Sequence, residues 1–105
     1  MTADQVEVWL TARRPERPGP LSAQMSRLLR SSDAAALEAA PTIAEALAVL
    51  GAAVLAAVAG REPDGPALAM DLLAADAFVT YAFEAAAEEG ASVEPLVHRL
   101  LREAA

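Results

Sequence analysis

His98 is the only imidazole in the chain, and the sequence contains neither Cys nor Lys. Thiolate metal sites and Cys or Lys nucleophiles are thereby excluded. His98 remains as the sole candidate proton carrier or single axial ligand. It falls about 130° around the last helix from the centre of that helix's apolar stripe. That placement predicts a half-exposed surface histidine, with Glu94 one turn before it.

A second group of reactive types is the acidic column Asp76, Thr80, Glu84 and Glu88, which steps by four along one predicted helix. Carboxylates so spaced suggest a metal or acid–base site. A di-iron bundle, however, needs two paired Glu-x-x-His motifs, and the sequence has none. Calcium-loop, phosphate-loop and dinucleotide glycine patterns are also missing. Like charges at i, i+4 repel slightly, so the column reads as a solvated face or a dock for arginines. No metal, no cofactor and no enzymatic activity are expected.

A third group is Trp9 with Arg13 one turn on, followed by Arg14 and Arg17. Trp and Arg are enriched at binding hot spots, so these four residues are the candidate partner contacts. The competing reading places Trp9 in the intramolecular core. Pro15-Glu16-Arg17-Pro18 has the minimal P-x-x-P form but lacks an Arg three residues before Pro15 or two after Pro18, which a strong ligand of that type carries.

Charge is distributed unevenly. Residues 1–30 hold five Arg against three acids, a balance of +2, whereas residues 31–105 hold three Arg against twelve acids, a balance of −9. The larger part should repel nucleic acid and anionic membrane. The basic N-terminal third is suited to dock on the acidic remainder or on an acidic partner. The first ten residues lack a basic stretch followed by an apolar one, so no signal peptide is read and a cytoplasmic location is expected.

The elements that must position these residues are helical. Thr2 and Gln5 form a capping box that opens a helix over 3–12. Three prolines between positions 15 and 20 then impose an extended arm. Leu21, Met25, Leu28 and Leu29 mark a short amphipathic helix. Asp33 caps a brief Ala-rich turn or helix through Ala40. Thr42 and Glu45 form a second capping box, opening a helix to about Ala59 that is apolar on every side and is expected to be central. Its run from Ala46 to Gly60 is too short and too Ala-rich to be read as a membrane span.

A long helix is expected over 66–89. Its core face is predicted to be Leu68, Leu72, Ala75, Val79, Ala82, Phe83 and Ala86. Within it, the stretch Leu73–Glu84 resembles a helix of the trans-polyprenyl synthases. Those enzymes hold magnesium with two aspartate-rich motifs, and no Asp-Asp pair occurs here, so the resemblance carries over neither substrate nor activity. Ser92 caps a last helix in which Val93, Leu96, Val97, Leu100, Leu101 and Ala104 make the cleanest amphipathic stripe of the sequence, a face that must pack on something.

With no period-2 alternation, the chain is expected to be all-α, a single bundle of five or six helices with residues 1–20 as a short helix and a Pro/Arg-rich arm. The expected function is non-catalytic association, with a second copy or as a small subunit of a larger complex. The alternative is an apolar small-molecule site between the Ala-rich helix and Phe78, Tyr81 and Phe83. Neither nucleic acid nor a membrane span is expected among its partners.

Overall fold

The computed structural model describes residues 1–61 and 65–104; those residues form six helices and no strand. The expected all-α bundle is what the chain adopts. The first helix, α1 (Ala3–Thr11), opens with both halves of its capping box: the Thr2 hydroxyl accepts from the Gln5 amide, and the Gln5 side chain accepts from the Thr2 amide. α2 (Gly19–Arg30) carries Pro20 in its first turn, where a missing N–H is tolerated, and Arg27 and Arg30 in its last turn, where cations suit the helix dipole. In α3 (Ala34–Glu38), Asp33 caps by accepting from the amides of Ala35 and Ala36. The helix gives way to a turn reaching Ala40, as the brief turn or helix expected there.

α4 (Ile43–Ala59) begins at Thr42, which accepts from the Glu45 amide. Among the described residues no Glu45 side-chain bond to the Thr42 amide completes the expected capping box; a different first-turn amide, that of Ala44, donates to Glu89 at 3.3 Å. α5 (Gly65–Glu88) ends in a Schellman turn, with the Gly90 amide donating to Ala87 and the Ala91 amide to Ala86. Gly90 sits at φ 68°, a left-handed conformation that suits glycine. α6 (Glu94–Ala104) follows, with the Ser92 hydroxyl accepting from the Glu94 amide. Of the loop read between Arg61 and Pro66, residues 62–64 lie outside the described residues.

α4 and α5 form the most extensive pair. They run antiparallel: Ala44 meets Glu89 at one end, Gly51 faces Val79 and Ala75 midway, and Arg61 pairs with Asp71 at the other. One hydrophobic cluster takes side chains from all six helices, including Val6 and Leu10 of α1, Met25 and Leu29 of α2, and Phe78 of α5. The amino group of Met1 donates to the carbonyls of Leu37 and Ala40, at 3.1 and 2.7 Å, satisfying acceptors exposed at the end of α3.

Two sequence expectations need correcting. The core face of α5 is Ala74, Ala75, Phe78, Ala82, Ala85 and Ala86. Its centre is rotated about 70° from the predicted stripe. Leu72 is therefore 45% exposed, whereas Phe78, outside the predicted stripe, is fully buried. The cause is close helix approach: α5 packs through small residues, and its larger aliphatic side chains are turned outward. α4 is mostly buried only in its first three turns, and even there Ala53 is exposed. Beyond Val54 its Ala-rich end emerges into solvent with Leu55. The stripe of α6, expected to pack on something, is covered in part: among its described residues Leu96 is buried, Leu100 is half-buried and Val93, Val97 and Leu101 are exposed.

α5 is also long and apolar enough to cross a membrane by length and composition, with a mean hydropathy of 1.3 over its most apolar window. Here it packs along α4, and its acids Asp71, Glu84 and Glu88 bind arginines.

Candidate functional site

The N-terminal arm folds back onto α5. Trp9 meets Tyr81 edge to face, with ring centroids 5.9 Å apart and planes at 83°. The Arg13 guanidinium lies 4.0 Å above the Trp9 ring and pairs with both Glu84 and Glu88. Arg17 lies 5.5 Å from the Tyr81 ring centroid and donates to the Leu10 carbonyl at 2.9 Å, at the end of α1. Thr80-to-Glu88 spacing on α5 supplies the acids at successive turns, and the capping box of α1 sets the position of Trp9.

Of the four candidate partner contacts, Trp9, Arg13 and Arg17 thus engage α5 or the end of α1. Arg14 is largely exposed: it donates to the Thr11 and Arg13 carbonyls at 3.0 and 2.8 Å and lies 3.6 Å from Glu16, without reaching α5. Two members of the acidic column, Glu84 and Glu88, serve as the dock for the basic arm. Asp76 and Thr80 are exposed.

Asp71 lies on the core-facing side of α5, near its start. It accepts from Gln24 of α2 at 2.6 Å and pairs with Arg61, joining three segments through one carboxylate. The Arg61 hydrogen bond, with the Gln24 amide adding to it against the opposing effect of burial, holds this carboxyl below the usual carboxylate range.

α6 offers a different kind of surface. Leu96 faces α4 from one edge of the apolar stripe, about 70° from its centre. The opposite edge is left open: Val93, Val97 and Leu101 are 45%, 37% and 63% exposed, at i, i+4, i+8 spacing. By the antiparallel register, Leu55 of α4 lies level with the exposed Leu72 and Leu73 of α5. His98 is exposed. Among the described residues no group of three or more His, Asp and Glu is placed to hold a metal ion.

The far side of α4 carries a cleft of about 430 Å³ between α3, α4 and α6. Leu37 and Leu50 form its floor, Ala36, Ala40 and Ala53 its walls, and Arg99 stands over it from α6. Sequence reasoning missed this cleft. The signal available was the placing of alanines beside Leu37 and Leu50, which leaves open the space that larger side chains would fill. The aromatics expected to line a ligand site are instead packing elements: Phe78 is fully buried, and Tyr81 and Phe83 lie against the core.

Comparison of the chain with protein-family models, with curated proteins and with solved structures finds no match to any of them.

Proposed function

We propose that the chain works without catalysis, by association, and that its partner surface is the open edge of α6. The observation that carries this reading is the row Val93, Val97 and Leu101, apolar and largely solvent-facing on the most amphipathic helix of the sequence. A folded chain gains roughly 1.5 to 3 kcal/mol for each large apolar side chain fully buried. A row of three left open is therefore a reserve of affinity for a partner.

A second copy of the chain fits the row best. An antiparallel pairing about a two-fold axis at Val97 sets Val93 of one chain against Leu101 of the other. The same operation brings Glu94 near the Arg102 and His98 end of the facing helix, so the flanking charges are complementary. Three residues alone fall short of the roughly 800 Å² per partner of a standard interface. A pairing of this size belongs to the small, transient class of interfaces.

The test is cross-linking between copies that each carry a single cysteine at position 97. The native sequence has no cysteine to interfere. A symmetric dimer yields rapid disulfide formation from Val97→Cys and none from Ala23→Cys on the exposed face of α2. Equal rates from the two variants would refute the pairing.

A further inference from the structure

The cleft between α3, α4 and α6 differs in chemistry from the open edge of α6. Its volume of about 430 Å³ falls within the roughly 300 to 1,000 Å³ of small-molecule sites. Its floor and walls are aliphatic, supplied by Leu37, Leu50 and alanines of α3 and α4. Two charged side chains reach it. Asp33 is engaged by its own helix, accepting from the amides of Ala35 and Ala36 at 3.0 and 3.2 Å. Arg99, half-buried, makes no hydrogen bond or ion pair among the described residues.

An aliphatic slot under a guanidinium with no partner among the described residues is complementary to an apolar body that ends in one negative charge. We propose that this cleft binds an aliphatic monocarboxylate, with its chain against Leu37 and Leu50 and its carboxylate on Arg99. The planar guanidinium matches a carboxylate with two parallel N–H donors. Asp33 at the rim sets a limit on the ligand, because a second acidic group would meet a like charge there. Volume sets another limit: at roughly 30 Å³ per water-sized unit, the cleft has room for a body of about fourteen such units. A medium-length chain fits, and a long one would protrude.

Arg99 lies about 160° around α6 from Val97. The cleft therefore stays open whether or not the apolar edge of α6 is covered, and ligand binding and self-association are separable.

The probe is decanoate below its micellar concentration, measured by calorimetry and by amide chemical shifts in the intact chain, with decanol as the uncharged control. Decanoate should bind saturably and shift the amides of Ala36, Ala40 and Ala53. Arg99→Gln should weaken it about tenfold or more, the loss expected for one charge-assisted hydrogen bond, and leave decanol binding unchanged. Ala53→Phe, at an exposed helical position that lines the cleft, should abolish binding while the helical signal is retained. The Val97→Glu/Leu101→Glu variant should bind decanoate as the parent does. The assignment is overturned if decanoate shows no saturable binding, if Arg99→Gln binds it equally well, or if Ala53→Phe retains it.

Discussion

Gly51→Ala is the sharpest probe of how α4 and α5 meet. In an unobstructed helix interior this change stabilises by about 1 kcal/mol, because alanine loses less backbone freedom than glycine. At position 51 an added Cβ would stand 2.8 Å from Cγ2 of Val79, 3.4 Å from the Val79 nitrogen and 3.5 Å from the Ala75 carbonyl oxygen. The first distance is shorter than van der Waals contact. Val79 is β-branched and held to one favoured rotamer in a helix, so its methyl group cannot swing aside cheaply. The helices must part by a few tenths of an ångström along a seam of buried alanines, and such overpacking costs about 1 to 3 kcal/mol. The net expectation is destabilisation by about 1 kcal/mol, or a fall in melting temperature of about 4 to 8 °C for a domain of this size.

Thermal melts followed by circular dichroism measure this effect, and two further variants give it direction. Gly60→Ala adds a Cβ with nothing within 4 Å, at an ordinary φ of −90°, and should be neutral or stabilising by up to about 1 kcal/mol. Val79→Ala removes the obstructing methyl, so Gly51→Ala in that background should recover the propensity gain, a coupling of about 1 to 2 kcal/mol in the double-mutant cycle. If Gly51→Ala raises the melting temperature and shows no coupling to Val79→Ala, the close approach is refuted.

Other changes test other contacts. Arg13→Ala removes the cation over Trp9 and the partner of Glu84 and Glu88. With both acids about half exposed, the loss should be about 1 to 2 kcal/mol, and the fluorescence of the single tryptophan should shift; an unchanged emission spectrum would place the arm elsewhere. Phe78→Ala should cost about 3 to 5 kcal/mol and Leu72→Ser less than about 0.5 in urea unfolding, an order that reverses if α5 is rotated to the sequence-predicted face. Because the carboxyl of Asp71 titrates lower in the folded chain than its unfolded value of about 3.9, its contribution is complete above that pH and disappears as pH falls through the folded value. Asp71→Asn should therefore be less stable than the parent at neutral pH, with a gap that narrows below about pH 4; a gap independent of pH would contradict this.

Helix boundaries were legible because caps are local chemistry. Thr2 with Gln5, Asp33, Thr42 and Gly90 each act within four residues, and each marks a boundary where the sequence places one. The docking of the arm was half legible: a basic third beside an acidic remainder implied it, but the choice of Glu84 and Glu88 needed α1 and α5 in place. Helix rotation was not legible. A hydrophobic stripe weighs Leu68 and Leu72 above Ala74 and Ala85, whereas burial follows the line along which two backbones approach, and alanine is what permits that approach. With 28 alanines in 105 residues, the apolar signal is broad on every face. The Arg99 cleft was hidden for a related reason, since it joins alanines from α3 and α4 that no single helical pattern connects.

Sedimentation velocity of the native chain and of Val97→Glu/Leu101→Glu, across a hundredfold concentration range, tests association through α6 most directly. The native chain should pass from the monomer mass of 10.9 kDa toward twice that value as concentration rises, while the variant stays at the monomer mass with its helical content intact. A native chain that remains monomeric throughout, or a variant that associates as readily as the parent, would contradict the account.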